Sequence, residues 1–427
     1  MLLRRAVLKG LKVRFLGGTE TVGKSAVTVK TGEATVLLDY GVGINHVPSF
    51  PMHISPREVD AVVLTHAHLD HCGAAPILYM RGRIPVYACP PTLDLTELLI
   101  KDFLRLSGYY LPYEFLDLRT MQGSARPVKY GDEVTVKDAR LRFMNSGHIP
   151  GGLQVIVDDG RSRLAYASDL NDVDTMLLRG ADRDYGELDA MVIEATYATE
   201  EHPERKSLEA EFIRKLDEVV EAGGTVLVPA FSVGRSQEIL CVLANNHFEH
   251  PVNVDGMAVE ANQIFTRHPD FLRDPELFKR ALGAAEWVSG WKERKKIVKQ
   301  PGVIVAPAGM LRGGLAVFYA ERLARGKQNA IFLVSYQLPG TPGRELLDAR
   351  KFIIFGKSRR VDAQVERFDF SSHAGMSGLH SILKGLSGSP KVYVIHGERK
   401  NCLALAQWAN ENGLKAVVPK VGESFDI

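Results

Sequence analysis

Short apolar runs separated by turn residues fill the first two hundred positions of the chain. An apolar stretch over 74–80, placed directly after one of these runs, predicts a helix. Strands combined with a strand–loop–helix unit are typical of an α/β sandwich. The apolar runs predict strands at 12–16, 25–29, 35–39, 59–65, 141–144, 154–157, 164–167 and 191–194.

Beyond about residue 198 the pattern changes to helices that alternate with fully apolar strands. Apolar positions at helical spacing predict helices over 207–221 and 235–244, and the pair Gly223-Gly224 is a stop signal for the first of them. This alternation indicates a second layer system built on a parallel sheet. The remaining predicted elements are buried strands at 225–229, 330–336 and 351–355, a strand at 391–395 and a helix at 401–412.

Length and charge narrow the class of protein. At about 150 residues per domain, the 427 residues predict two or three domains. Hydrophobic residues make up 45% of the chain and charged residues 24%, which excludes wholesale disorder. The 53 Lys and Arg residues nearly balance the 51 Asp and Glu residues. This balance excludes a histone-like polycation and a strongly acidic chain, but it is compatible with a local basic groove for nucleic acid.

Cysteine usage and the N-terminus indicate a compartment. The four cysteines, at positions 72, 89, 241 and 402, form no Cys-x-x-Cys pair and are too sparse for a disulfide framework. A reducing cytoplasm is the simplest interpretation. Charges interrupt the apolar runs of residues 1–18, so no signal peptide is expected, and no stretch approaches the ~18 apolar residues of a membrane-spanning helix. The sequence therefore predicts a cytoplasmic protein with no membrane partner.

The strongest chemical signal is a histidine cluster directly after the predicted strand 59–65. It consists of His66, His68, Asp70 and His71. Imidazole and carboxylate groups together suit zinc. A loop is expected here, because a helix or a strand would not aim four such close side chains at one point. Positions 66 and 68 share a direction, whereas 70 and 71 can turn to a second centre, so the spacing predicts two metal ions.

Further candidate ligands stand at the ends of predicted strands. A single His or Asp in such a place is more often a turn or cap residue than a ligand. Taken together with the histidine cluster, however, these residues complete two shells of four ligands. They are Asp39, His148, Asp169 and His396.

These motifs resemble a known family. The segment HAHLDH has the H-x-H-x-D-H signature of metallo-β-lactamase-fold hydrolases, and Glu194, His373 and His396 narrow the match to the β-CASP nucleases. The chain is most similar to archaeal and bacterial homologues of the 3′-end-processing endonuclease of the cleavage and polyadenylation factor, with ribonuclease J as a cousin. The motifs that carry the resemblance span about residues 17–397 and read GGTETVGKSAVTV, LLDYGVG, THAHLDHCGAAP, SGHIPGG, PAFSVGRSQEIL, GTPGREL and SSHAG.

The resemblance implies a fold and a domain order. The expected fold is α/β, a metallo-β-lactamase αββα sandwich with an inserted α/β β-CASP cassette. The first part of the metallo-β-lactamase domain would cover 1–198, the inserted β-CASP domain 199–371, and the returning C-terminal part 372–427.

The resemblance also implies a role for each candidate residue. One zinc ion would be held by His66, His68, His148 and Asp169. The other would be held by Asp70, His71, Asp169 and His396, with Asp169 bridging. Asp39 would support the histidine loop. The implied catalytic residues are His373 as the general acid, Glu194 as the carboxylate that orients it, and Asp70. Gly375 and Ser377 lie where ribonuclease J-like proteins hold a substrate phosphate.

The predicted function is a zinc-dependent ribonuclease that hydrolyses single-stranded RNA by a two-metal mechanism. A 5′→3′ exonuclease and an endonuclease use the same residues, so both remain open, as does a homodimer. Because the first predicted strand begins near residue 12, no N-terminal RNA-binding module is expected. This favours a stand-alone degrading or trimming enzyme. The alternatives are a small-molecule hydrolase of the same superfamily, a catalytically silent RNA-binding subunit, and a DNA nuclease.

Basic residues cluster at 291–296 and 357–360 in the segment expected to form the cassette. They indicate either phosphate contact or a solvated surface. Trp287 and Trp291 are four positions apart, which predicts one shared helical face. A place in the core or at an interface is favoured for this pair over a platform for stacking bases.

Overall fold

A computed structural model describes residues 10–44, 47–107, 110–338 and 340–427. Residues 1–9 lie outside this range, and they include half of the segment 1–18 in which no signal peptide is expected. The chain forms two compact units. The first comprises the residues up to Asp174 together with Gly180–Glu201 and His373–Ile427, and the second comprises Thr175–Arg179 and His202–Ser372.

The helices and strands are numbered in chain order. The strands are β1 Lys12–Gly17, β2 Ala26–Lys30, β3 Thr35–Leu38, β4 Gly43–Ile44, β5 Pro48–Ser49, β6 Ala61–Val63, β7 Val86–Ala88, β8 Ala125–Pro127, β9 Glu133–Val136, β10 Ala139–Asn145, β11 Leu153–Asp158, β12 Arg163–Tyr166, β13 Ala190–Glu194, β14 Thr225–Pro229, β15 Val252–Val254, β16 Ala285–Trp287, β17 Gly302–Ala306, β18 Ala330–Leu333, β19 Lys351–Ile354, β20 Lys357–Arg360, β21 Gln364–Arg367, β22 Lys391–Ile395, β23 Lys415–Val417 and β24 Ser424–Asp426. The α-helices are α1 Leu69–Cys72, α2 Pro90–Ser107, α3 Phe115–Gly123, α4 Arg205–Glu221, α5 Arg235–Asn245, α6 Ala258–Arg267, α7 Pro275–Ala284, α8 Trp291–Ile297, α9 Gly314–Leu323, α10 Pro342–Ala349, α11 Met376–Lys384 and α12 Arg399–Glu411.

Two seven-stranded sheets form the first unit, in the orders β24-β1-β2-β3-β6-β7-β8 and β23-β22-β13-β12-β11-β10-β9. Each sheet has an antiparallel half and a parallel half. In the first sheet β3, β6, β7 and β8 run parallel. In the second sheet β12, β13, β22 and β23 run parallel. The carboxyl ends of parallel strands meet at one edge, and this places the residues that follow these strands side by side.

Aromatic rings fill the space between the two sheets. The ring of Tyr393 on β22 lies 5.4 Å from that of Phe15 and 5.0 Å from that of Phe425, both on the first sheet. At the other end, Tyr87 and Phe143 stack with centroids 6.4 Å apart. Because side chains alternate along a strand, the neighbouring apolar residues point to the outer faces.

Helices cover the outer faces of both sheets. On the first sheet, Leu37 and Val62 belong to an apolar cluster with Ile100 of α2. On the second sheet, Val392 belongs to a cluster with residues of α11 and α12, among them Leu379. The unit is therefore an αββα sandwich, and the expected fold class is confirmed.

The second unit is built on a six-stranded sheet in which every strand pair is parallel, in the order β16-β15-β17-β14-β18-β21. All residues of β14, β17 and β18 are buried, as expected when helices cover both faces of a sheet. Tyr319 and Leu323 of α9 pack on one face. On the other face, Phe212 of α4 contacts Phe332 and Phe368.

One prediction of local structure is partly right and two are wrong. The helix predicted at 74–80 is a 3₁₀ helix, Ala75–Tyr79, with Pro76 in its first turn. The segment 351–355 is not a buried strand of the sheet: β19 pairs only with β20 in a hairpin, and its alternate side chains are exposed. Trp287 ends β16 whereas Trp291 begins α8, so these residues do not share a helical face. Among the described residues, no helix combines the length and apolar character needed to cross a bilayer.

Candidate metal centre

The histidine cluster follows β6 at the parallel edge of the first sheet. His66 and His68 lie in a loop, but Asp70 and His71 lie on α1, so the expectation of a single loop is only half right. Backbone contacts fix α1: the N–H of Ser25 donates to the carbonyl of Asp70 at 2.9 Å, and that of Tyr40 donates to His71 at 2.8 Å.

Two glycines permit the backbone approaches that shape the site. A Cβ on Gly41 would lie 1.7 Å from the carbonyl oxygen of Asp70, so only glycine fits beside α1. Gly147 has φ of 70°, and a Cβ there would lie 2.5 Å from the carbonyl oxygen of Asn171. The motifs LLDYGVG and SGHIPGG therefore serve, at these positions, to bring chain segments close to the candidate ligands.

Residues at strand ends complete the cluster. His148 follows β10, Asp169 follows β12 and His396 directly follows β22. Asp39, Ser168 and His396 all have positive φ, between 47° and 60°. A backbone conformation that is unfavourable for side-chain-bearing residues is maintained at three neighbouring strand ends, which is typical of functional sites.

The first group of candidate ligand atoms comprises imidazole nitrogens of His66, His68 and His148. Nδ1 of His68 lies 3.1 Å from Nε2 of His148. Oδ2 of Asp169 lies 3.7 Å from Nε2 of His66 and 3.7 Å from Nε2 of His148. Ligands about 2.0–2.1 Å from a tetrahedral zinc ion lie about 3.4 Å from one another, so these separations fit one ion.

The second group comprises atoms of Asp70, His71, Asp169 and His396. Oδ1 of Asp169 lies 3.3 Å from Nε2 of His71 and 3.0 Å from Nδ1 of His396. Nε2 of His396 lies 3.4 Å from Oδ2 of Asp70. The two carboxylate oxygens of Asp169 therefore face different groups, which is the arrangement of a bridging ligand.

The burial and charge of this cluster fit a metal. Nε2 of His66 and Oδ1 of Asp169 are buried and make no hydrogen bond to any described residue. Burial lowers the pKa of His66 well below its ordinary value, so its imidazole is neutral at pH 7 and can bind a cation. Burial raises the pKa of Asp169, but the neighbouring His396 and His71 lower it far more, so the carboxylate stays ionised. Buried polar atoms without partners are costly unless an ion satisfies them.

Asp39 holds His71 in place through a buried hydrogen-bond network. Nδ1 of His71 donates to Oδ2 of Asp39 at 2.8 Å, which leaves Nε2 of the imidazole for the metal. The backbone N–H and Oγ1 of Thr65 donate to Asp39 at 2.7 and 2.8 Å, and the Tyr166 hydroxyl donates at 3.0 Å. Oγ of Ser168 lies 2.7 Å from Oγ1 of Thr65. Such contacts fix the ring orientation of a ligating histidine.

His373 and Glu194 form a pair beside the metal cluster. Glu194 ends β13 and is buried, and its Oε1 accepts a hydrogen bond from Nδ1 of His373 at 2.7 Å. The same carboxylate accepts from the N–H groups of Leu170 and Thr196. Burial lowers the pKa of His373, but the charge and hydrogen bond of Glu194 raise it to about 9. Nε2 of the protonated imidazole lies 3.9 Å from Oδ2 of Asp169.

Comparison with known families agrees with this geometry. Residues 34–226 match the "Beta-lactamase superfamily domain", 236–346 match the "Beta-Casp domain", and 358–419 match the "Zn-dependent metallo-hydrolase RNA specificity domain". One relative, "RNase aCSPSF2" from Saccharolobus solfataricus, is 41% identical over 97% of this chain and 85% of its own. The chain belongs to the β-CASP family. It is a metal-dependent hydrolase with the metallo-β-lactamase fold.

Other β-CASP relatives are archaeal as well. "Probable RNase MJ4" from Methanocaldococcus jannaschii is 33% identical over 98% of this chain and 100% of its own. "Transcription termination factor FttA" of the same organism is 34% identical over 94% of this chain and 70% of its own. A solved structure from Enterococcus faecalis, of unknown function, superposes with a TM-score of 0.63 at 15% identity, covering 98% of this chain and all of that one. It shows the fold alone.

Ser377, one of the two residues predicted to bind a substrate phosphate, is hydrogen-bonded to a carboxylate of the first unit. Gly375 precedes α11, and the N–H and Oγ of Ser377 both donate to Oε2 of Glu201, at 3.0 and 2.9 Å. An acidic side chain thus occupies the donors that were assigned to a substrate phosphate. The role of Gly375 and Ser377 stays a prediction.

The sequence analysis missed residues that support the site. Three of them, which contact Asp39 or one another, are Thr65, Tyr166 and Ser168. Thr65 adjoins the histidine cluster, and Tyr166 lies three positions before Asp169. Thr196 was missed too: its Oγ1 donates to the carbonyl of His396 at 3.2 Å. Only proximity in sequence to a ligand could have indicated these roles, since Thr, Tyr and Ser are common at strand ends. Cys72 is buried, with its thiol directed to the carbonyl of Ala67, as expected for a core residue.

Proposed function

We propose that this chain hydrolyses phosphodiester bonds of single-stranded RNA with two zinc ions. The observation that carries the proposal is the His373–Glu194 pair placed beside two ligand groups that share Asp169. A general acid at this place serves a reaction with a poor leaving group, such as the ribose oxygen of RNA. The curated relatives named as RNases support RNA as the substrate.

The first zinc ion would be held by His66, His68, His148 and Asp169, and the second by Asp70, His71, Asp169 and His396. When bound, two zinc ions neutralise charge on the phosphoryl oxygens and make water a better nucleophile near neutral pH. The side chain of Asp70 is 27% exposed, against 3% for that of Asp169, and Asp70 would orient the attacking water.

Two side chains of the protein would then protonate the leaving oxygen. Glu194 is anchored by two backbone N–H groups and keeps the proton on Nδ1 of His373. The proton on Nε2 is therefore the one available for transfer to the leaving oxygen. Because the pKa of His373 is raised to about 9, this proton is present at physiological pH. The expected products carry a 5′-phosphate and a 3′-hydroxyl.

We also propose a domain assignment. The first unit would be the metallo-β-lactamase domain, formed by 1–198 and 372–427, and the second would be the β-CASP cassette at 199–371. A cytoplasmic location and a homodimer stay predictions. The four cysteines are buried and free, which is consistent with a reducing compartment.

The test is RNA labelled at its 3′ end, offered to the zinc-loaded chain with a 5′-monophosphate or a 5′-hydroxyl. We expect cleavage that His373→Ala strongly reduces. Progressive shortening from a 5′-monophosphate would identify a 5′→3′ exonuclease, and internal cuts indifferent to the 5′ end would identify an endonuclease. RNA binding without cleavage would instead support a silent subunit. If the chain neither binds nor cleaves RNA, a small-molecule hydrolase would be supported. Either of these last two results would contradict the proposal.

A further inference from the structure

We propose that a surface stripe of arginine and aromatic side chains on the second unit binds single-stranded RNA by stacking and charge. This inference rests on the proposed ribonuclease function. We call these residues the arginine–aromatic stripe, and its members are, in spatial order, Arg294, Trp291, Phe318, Arg322 and Phe355.

Direct contacts join the stripe from end to end. The guanidinium of Arg294 lies 5.0 Å from the ring centre of Trp291, and this ring meets Phe318 edge-on at 5.1 Å. The guanidinium of Arg322 lies 3.7 Å from the ring centre of Phe318 and 5.6 Å from that of Phe355. Helices α8 and α9 and the β19–β20 hairpin thus contribute to one continuous row, although their residues are far apart in sequence.

Two rings of the stripe are exposed, and one end of the stripe is held in place. Trp291 is 57% exposed and Phe355 is 65% exposed, values that are unusual for large aromatic residues of a soluble unit. A buried salt bridge fixes one end, because Arg294 donates to both oxygens of Asp255, at 2.8 and 2.9 Å. The Tyr319 hydroxyl donates to the same carboxylate at 2.6 Å. Exposed rings in fixed orientations form a surface on which planar groups can stack with little loss of entropy.

Further basic residues lie on two of the elements that form the stripe. On α8 and on the fully exposed strand β20 they are Lys292, Lys295, Lys296, Lys357, Arg359 and Arg360. The acidic residues of the same elements are few. Glu293 accepts hydrogen bonds from Ser289. Glu321 accepts from the N–H of Phe355 at 3.1 Å and lies 3.8 Å from the guanidinium of Arg322. The surface therefore offers cations to phosphates and rings to bases.

This combination favours single-stranded RNA over a protein partner. Bases of a single strand expose flat π-faces that stack on aromatic rings and on guanidinium planes, and each such base contributes substantially to affinity. The Trp, Phe and Arg residues alone would also suit a protein interface, but the six further cations on α8 and β20 favour a polyanion. The two basic clusters of the sequence, at 291–296 and 357–360, thereby lie at two ends of one surface.

The test measures fluorescence anisotropy of the full zinc-loaded chain with labelled oligoadenylate of about 20 nucleotides, longer than the ~4–16 nucleotides that one binding surface covers. A phosphorothioate backbone slows hydrolysis. The double variant Trp291→Ala/Phe355→Ala should bind at least about tenfold more weakly, as expected for the loss of two stacking rings. The matched control Tyr110→Ala/Leu116→Ala removes two exposed apolar side chains of the first unit and should bind like the parent chain.

Charge is tested by the dependence of affinity on salt. Arg359→Gln/Arg360→Gln should lower the slope of log K against log salt by about 1.4, since each phosphate contact to a single strand contributes about 0.7. The control is Arg399→Gln/Lys400→Gln, which removes two exposed cations of the first unit and should leave the slope unchanged. Equal affinities and slopes for all variants would overturn the inference.

Two further readouts separate this inference from the proposed function. Cleavage of a four-nucleotide RNA should be unchanged in Trp291→Ala/Phe355→Ala. If the parent chain cleaves no RNA but this double variant still binds RNA more weakly, only the proposed function is contradicted. Sedimentation of the chain at several concentrations, with and without RNA, reports self-association. If the same double variant changes the oligomeric state and leaves RNA affinity intact, the stripe is an interface between copies and the inference is wrong.

Discussion

Two buried groups of charged residues in this molecule are built on opposite principles. In the first unit, the carboxylate of Asp169 lies within 4 Å of five imidazoles, and one of its buried oxygens has no hydrogen bond to any described residue. In the second unit, Asp255 is equally buried, but both of its carboxylate oxygens accept hydrogen bonds. The donors are two nitrogens of Arg294 and the hydroxyl of Tyr319. The first carboxylate is surrounded by imidazoles that can bind a metal ion, whereas the second is neutralised by an arginine that cannot.

The difference shows how to tell a metal centre from a structural ion pair. A buried carboxylate that the chain itself neutralises contributes to folding and leaves nothing for an outside ion. An imidazole can lose its proton and bind a metal ion instead, and burial already keeps His66 neutral. The cluster around Asp169 therefore has excess ligand atoms, whereas the group around Asp255 is complete. Four substitutions test this comparison, and they follow from the largest expected effect to the smallest.

Asp169→Ala should have the largest effect. It removes one ligand from each group, so zinc content should fall from about two per chain to below one, and RNA cleavage should fall by about 10⁴-fold or more, since each charge-stabilising centre contributes about 10²–10³. Elemental analysis together with cleavage of labelled RNA checks both. Retention of two zinc ions per chain would contradict the bridging assignment.

His373→Ala should reduce RNA cleavage by about 10²–10⁴-fold, as expected for loss of a general acid, while zinc content stays unchanged. The control is His380→Ala, which removes a histidine that stacks on Trp408 and should leave cleavage intact. Because His373 also lies close to His148 and Asp169, a loss of zinc in the variant would show that it acts as a ligand instead.

Asp255→Asn should lower the free energy of unfolding by about 3 kcal/mol, because the partly buried guanidinium of Arg294 loses its counter-charge. Zinc content and cleavage of a four-nucleotide RNA should not change. The matched control, Asp348→Asn, breaks an exposed pair with Arg344 and should cost less than about 1 kcal/mol. Chemical denaturation measures both, and equal effects would mean that burial does not distinguish the two pairs.

Tyr166→Phe should have the smallest effect. It removes one of the donors to Asp39, so the orientation of His71 is held less tightly and zinc affinity should fall by about tenfold. The control is Tyr393→Phe, since that buried hydroxyl makes no hydrogen bond to any described residue. Competition with a zinc chelator measures the affinities. The same loss in both variants would point to packing rather than to the hydrogen bond.

Much of this arrangement could be predicted from the sequence, for definite reasons. Candidate ligands such as Asp169 and His396 were found because they follow apolar runs, and parallel strands bring their carboxyl ends together. The family resemblance supplied the fold class and is confirmed by the matches over 34–226 and 236–346. The apolar run over 225–229 located β14 to the residue, because the turn residues Gly223-Gly224 mark its start.

Contacts between distant segments could not be predicted. Nothing in the sequence indicates that Glu201 binds the N–H and hydroxyl of Ser377, or that Tyr166 reaches Asp39 across the two sheets. The spacing of Trp287 and Trp291 suggested a helix, but a chain turn separates them. Such pairings depend on tertiary packing, which overrides local periodicity.

The most direct test of the central claim is a zinc titration of the metal-free full-length chain, with RNA cleavage measured at each step. If the two ligand groups that share Asp169 form one catalytic centre, cleavage should rise steeply only as the second zinc ion binds and should reach its maximum at two per chain. Full cleavage at one zinc ion per chain, or cleavage without zinc, would contradict the account.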